Sequence, residues 1–187
     1  ELQSRRPVER PKGQFSLAGG NVRGFSADGF SASGANRKSW DATASFRIAD
    51  FTGHPVVRAS QRGLIDQNAW SRMQSGRATA SHALSSGRFF ATLAGFAEKR
   101  GNGTTLGRNQ ADGFDWALGL RNEKTSSILF GQERDFSSVF PTVTGVKAER
   151  ASERIALDQF SVPAASLGFI HENSIDADEH EFGFTAM

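Results

Sequence analysis

Between residues 112 and 121 apolar side chains recur at every second position. Phe114, Trp116, Leu118 and Leu120 fall on one side, and Gly113, Asp115, Ala117, Gly119 and Arg121 fall on the other. This is the period of a β-strand with one apolar and one wetter face. Asn122-Glu123-Lys124-Thr125 supplies polar turn chemistry, and residues 126–136 return with Ile128 and Phe130 alternating against Ser127, Leu129 and Gly131. A β-hairpin over residues 112–136 is predicted.

The same alternation recurs along the chain. Over residues 40–51, Trp40, Ala42, Ala44, Phe46 and Ile48 oppose Asp41, Thr43, Ser45, Arg47 and Ala49; over 89–98, Phe89, Ala91, Leu93, Gly95 and Ala97 oppose Phe90, Thr92, Ala94, Phe96 and Glu98. Two short strands are expected within 13–34 around a turn at Gly19-Gly20-Asn21, and others over 56–61, 142–149, 154–160, 164–171 and 181–186. Residues 69–84 are ambiguous, because Trp70, Met73 and Arg77 fit a helical spacing while 77–84 alternate. The polar stretch 99–111, with Gly101, Gly103 and Gly107, is expected to be an exposed, mobile loop open to proteolysis at Lys99, Arg100 or Arg108. Roughly ten to twelve short strands with turns between them predict an all-β fold, an antiparallel β-barrel with a β-sandwich as the alternative. Closure favours the barrel, since it removes unpaired edges. Residues 1–12, with two prolines and four basic residues, read as an extended arm or linker, and 13–187 as a single antiparallel β domain.

Composition alters this picture little. The chain holds 20 Gly and 16 Phe but no Tyr and no Cys, and its formal net charge is +2. Lacking cysteine, it has no disulfide framework and no thiolate chemistry. Charge is uneven: residues 1–121 carry seventeen Lys/Arg against nine Asp/Glu (net +8), and residues 122–187 carry five against eleven (net −6). Basic residues are scattered singly, so no nucleic-acid groove is predicted. No apolar run is long enough for a transmembrane helix, and no charged-then-apolar leader pattern opens the sequence; the expectation is a cytoplasmic chain or one whose targeting segment has been removed.

Candidate chemistry is sparse. Ser81 and His82 are sequence neighbours and point to opposite faces of a strand, so they cannot act on each other. No Gly-x-Ser-x-Gly elbow, phosphate loop or dinucleotide fingerprint is present, and no catalytic residue or cofactor is predicted. The densest polar cluster spans residues 171–181. His171, Asp176, Asp178 and His180 are its candidate metal ligands, although their spacing matches neither a calcium loop nor a zinc helix and a solvated hairpin loop is the preferred reading.

Strands of about ten to twelve residues, such as 40–51 and 112–121, are long enough to cross a bilayer when tilted. Trp40, Phe51, Phe89, Phe114 and Phe136 lie near strand ends, where interfacial aromatic girdles occur. In its Gly/Ser/Ala-rich alternating strands, and in a penultimate strand Ser166-Leu-Gly-Phe-Ile-His-Glu172 followed by a polar loop and a last strand over 181–184, the chain resembles the translocator barrel of bacterial autotransporters. It departs from that pattern in ending Phe184-Thr-Ala-Met187 and in lacking Tyr. The resemblance implies an outer-membrane barrel that anchors or exports an attached passenger segment, with the lipid bilayer and that passenger as partners. The alternatives are a soluble extracellular β-barrel or β-sandwich binding module and, after that, a hydrolytic enzyme on a β scaffold.

Overall fold

The computed structural model describes residues 12–20, 24–33, 40–177 and 180–186. The described residues form ten strands: β1 (Lys12–Gly20), β2 (Gly24–Ser33), β3 (Trp40–Pro55), β4 (Asn68–Leu84), β5 (Gly87–Gly101), β6 (Arg108–Arg121), β7 (Thr125–Thr144), β8 (Ser152–Gln159), β9 (Ala164–Ala177) and β10 (His180–Ala186). All pairings between them are antiparallel, and the only helical element described is a 3-10 turn, Ala59–Gln61. The architecture is all-β, as the alternation predicts.

Each strand from β1 to β7 pairs with the next in sequence, and the order continues through β9 to β10. The long strand β7 carries two partners on one edge, β9 beside residues 125–134 and β8 beside residues 138–144. Thus β8 and β9 lie end to end and complete a single row, joined across the break by the Val162 amide donating to the Phe136 carbonyl at 2.8 Å. The sheet is therefore a meander of nine rows. It does not close into a barrel: the outer edges of β1 and β10 do not pair with each other among the described residues. Each strand contacts only its hydrogen-bonded neighbours, so no second layer packs on the sheet among those residues.

Several boundaries differ from those expected. The stretch 56–61 is not a strand but a connection containing the 3-10 turn, which Pro55 and the Gly53 bulge introduce. Gly53 holds φ +61, and a side chain there would collide with the Ala69 carbonyl of the neighbouring strand. All of 68–84 is strand, and β7 runs on to Thr144, so of the strand expected over 142–149 only residues 142–144 are strand and the rest belongs to the loop 145–151. The expected loop 99–111 shrinks to residues 102–107, since Lys99 and Arg100 end β5 while Arg108 opens β6. That short loop is pinned: the Asn102 amide donates to the Gly107 carbonyl (2.8 Å), the Thr105 amide to Ile65 (3.0 Å), and the Leu106 amide to Glu153 Oε1 (2.6 Å).

The described connections differ between the two ends of the sheet. At one end lie residues 56–67, 102–107 and 145–151; at the other lie residues 85–86 and 122–124. The turn at 122–124 is held by Asn122, whose Oδ1 accepts from the amides of Lys124 (2.9 Å) and Thr125 (2.6 Å). That is the side-chain turn expected of asparagine between two strands.

Candidate membrane-spanning face

The pairing register assigns every strand residue to one of two faces, because partners across a ladder share a face and successive residues alternate. Phe15, Leu17, Phe25, Trp40, Phe46, Ile48, Leu84, Leu93, Phe114, Leu118, Leu120, Leu129, Leu167 and Phe169 are all exposed, and the register puts all of them on one face. Beyond glycine, only Ala49, Ile65 and Val139 among the described apolar residues are buried. Among the described residues, most exposed large apolar side chains of the strands therefore lie on one face of a single layer.

This face is banded. A row running Trp40, His82, Phe89, Leu120, Ser127, His171 crosses β3, β4, β5, β6, β7 and β9 near the short-turn end. Trp40 stacks on His82 with ring centroids 4.9 Å apart and meets Phe89 edge-on at 6.4 Å. Toward the long-loop end a charged boundary runs Asp50, Arg72, Lys99, Asp112, Glu133 on successive strands. It steps by two residues from β5 to β6 and again from β6 to β7, the diagonal expected where strands are tilted to the band. Arg72 binds Asp50 at 3.1 Å and lies over the Trp70 ring at 5.5 Å. Between these boundaries the face holds no Asp, Glu, Lys or Arg on β3 through β6. Along β3 the ten steps from Trp40 to Asp50 span about 33 Å, which a tilt near 40° reduces to about 25 Å.

The opposite face is polar and cross-linked. Arg47 pairs with Asp28 (3.1 Å), Arg88 with Asp41 (2.7 Å) and Ser81 (2.8 Å), and Arg134 with Asp115 (2.6 Å) while lying 5.3 Å from the Phe96 ring centroid. Phenylalanines on this face cover glycines of the adjacent strand, Phe90 over Gly119 and Phe130 over Gly168. The register also reassigns β7: Leu129 shares the apolar face with Leu118, whereas Ile128 and Phe130 lie on the polar face. Alternation alone gives a strand two faces but does not say which face joins which neighbour's.

Two arrangements join residues distant in sequence. Asp66 in the 56–67 connection and Arg150 in the 145–151 loop form a bidentate pair, and the arginine's hydrogen bonds hold the Asp66 carboxyl below its usual range. Ser127 Oγ and His171 Nδ1 lie 2.9 Å apart across β7 and β9. Sequence spacing could not show this pair, which only the β7–β9 register creates. Ser127 is on a strand paired on both edges, so the nearby amides are engaged in the ladders. His82 faces away from Ser81, as its position in a strand requires, and its Nδ1 is buried without a partner.

Of the four metal candidates, the register sets His171 apart from Asp176 and His180 on the last hairpin. His171 pairs with Ala186 and Asp176 with Glu181, so the backbone register sets His171 five residues along β9 from Asp176. His180 opens β10 opposite Ala177. Asp178 lies outside the described residues, as do the side chains of Asp176 and His180. No family model, curated protein or solved structure matches the chain.

Proposed function

We propose that this chain is the strand meander of an outer-membrane-type β-barrel, with the banded apolar face against lipid and the arginine-rich face toward an aqueous lumen, serving to anchor or export an attached segment. The observation that carries this reading is that, between the aromatic and charged rows, the exposed large apolar residues lie on one face, while Phe136, Phe140 and Leu157, exposed on the other face, lie beyond the charged row. Among the described connections the longer ones lie at one end and the shorter ones at the other, which supports it, since membrane barrels show that asymmetry. The open sheet favours one second reading, a β module outside the membrane whose apolar face is covered by a partner.

Three tryptophans make the test direct, because Trp40, Trp70 and Trp116 lie respectively at the short-turn boundary, at the long-loop boundary and within the band. Single-tryptophan variants folded into vesicles of brominated phosphatidylcholine should show Trp116 quenched most by bromine deep in the acyl chains. Trp40 and Trp70 should respond most to bromine near the headgroups. A monodisperse protein in detergent-free buffer, with Trp116 insensitive to brominated lipid, would reject the membrane assignment.

A further inference from the structure

On the polar face, β3 carries Ser45-Phe46-Arg47 and β4 carries Ser75-Gly76-Arg77, and the antiparallel register sets Ser45 opposite Arg77 and Arg47 opposite Ser75. The two Ser-x-Arg steps thus form a diamond, with guanidinium groups on one diagonal and hydroxyls on the other. All four residues line one open depression, walled by Asp28, Phe96 and Asp115. Its floor is low because Ser45, Ser75 and the adjacent Ala94 are short.

The charges in this depression do not cancel pairwise. Asp28 is bound to Arg47 at 3.1 Å, and Asp115 to Arg134 at 2.6 Å. The lining holds two arginines and two aspartates, but with Asp115 engaged by Arg134 from outside it, no carboxylate among the described residues forms an ion pair with Arg77, which is left beside two hydroxyl donors. We propose that the diamond of Ser45, Arg47, Ser75 and Arg77 is a binding site for a phosphate-type oxyanion, either free phosphate or a phosphate monoester. Donors at four corners suit a tetrahedral anion that accepts on several oxygens, and the arginine fork binds phosphate oxygens in pairs. The site lies on the polar face and holds whether or not the opposite face meets lipid.

The probes are inorganic phosphate and a soluble phosphate monoester, glycerol 3-phosphate. Each is titrated into the folded protein in detergent micelles and followed by broadening of the phosphorus-31 resonance. Arg77→Gln should weaken binding of phosphate roughly tenfold, the loss expected for a charge-assisted hydrogen bond. Arg77→Lys should recover part of it, and Ser45→Ala with Ser75→Ala should weaken it less than Arg77→Gln. Arg121→Gln, on the same face but outside the depression, should bind as the parent does, and unchanged far-ultraviolet circular dichroism checks the fold of every variant. Equal binding by the parent and Arg77→Gln, equal loss in Arg77→Gln and Arg121→Gln, or no broadening of either probe by the parent would overturn the assignment. Binding of phosphate alone identifies the free ion as the ligand, and binding of both probes extends the site to esters.

Discussion

Asp66 and Arg150, eighty-four residues apart, are joined by three hydrogen bonds of 2.6 to 3.0 Å, with the Asp66 side chain 1% exposed. Gly63 donates its amide to the same carboxylate at 2.9 Å, and the Ile65 amide donates to the Arg150 carbonyl at 3.2 Å. Arg150 holds φ 47, a left-handed backbone that a non-glycine residue keeps only when its surroundings fix it. The pair fastens the β3–β4 connection to the β7–β8 loop over the row of strand ends between them. Asp66→Asn keeps the shape but removes the charge, and should lower unfolding stability by about 1–3 kcal/mol in a urea titration. An unchanged midpoint would show that the other loop contacts suffice.

The pH dependence of this latch has a defined sign. Arg150 lowers the Asp66 pKa from its ordinary 3.8, so the folded value lies below the unfolded one. The contribution is then fully present above the unfolded value and is lost as pH falls through the folded value. Denaturant midpoints of the parent and Asp66→Asn should therefore differ at neutral pH and converge in acid below the ordinary carboxylate range. A gap that begins to close near neutrality would point to another group.

Gly131 lies beneath Trp116, and a methyl group there would sit 2.6 Å from the indole ring. Gly131→Ala should displace the ring, shift tryptophan emission and cost about 1–3 kcal/mol. Ala117→Gly, on the opposite face of β6, should leave the emission wavelength unchanged.

Among the described residues trypsin should cut first at Arg58 or Lys147, both exposed and in the longer connections, rather than at Arg100 or Arg108, which belong to paired strands. Mass spectrometry of the earliest fragments reads the order. Initial cleavage at Lys99, Arg100 or Arg108 would mean that the β5–β6 end opens more readily than its hydrogen bonds imply.

A charge placed inside the apolar band measures what covers it. Leu118→Lys should cost about 2–4 kcal/mol in vesicle-folded protein if that position lies near the bilayer midplane. Thr92→Lys, on the polar face, serves as the control. Similar small effects for both, read from urea unfolding in vesicles, would indicate water on both sides.

The parts of the fold legible in the sequence are those inside the band. β3 and β6 show clean alternation because one of their faces is apolar and the other is not. Toward the long-loop end both faces turn polar while the ladder continues, so Lys99, Arg100 and residues 108–111 carry no period-2 signal and look like loop. The first half of β4 is obscure for the same reason, since Arg72 and Gln74 share a face with Trp70. Ser127 with His171, and Asp66 with Arg150, are juxtaposed by register and loop packing alone. The Ser-x-Arg steps of β3 and β4 were visible as residues, but their diamond required the pairing of Ser45 with Arg77.

The two edges left unpaired among the described residues have a consequence fixed by counting. A meander reverses direction at each connection, so after nine rows β10 runs the same way as β1. Joining those edges directly would make one parallel seam in an otherwise antiparallel sheet, with slanted and slightly weaker hydrogen bonding. A second copy inserted with the same orientation would meet β1 through its own β10 and face the same mismatch. Only an odd number of additional strands, entering between β10 and β1, lets every neighbour in the ring run opposite to the next.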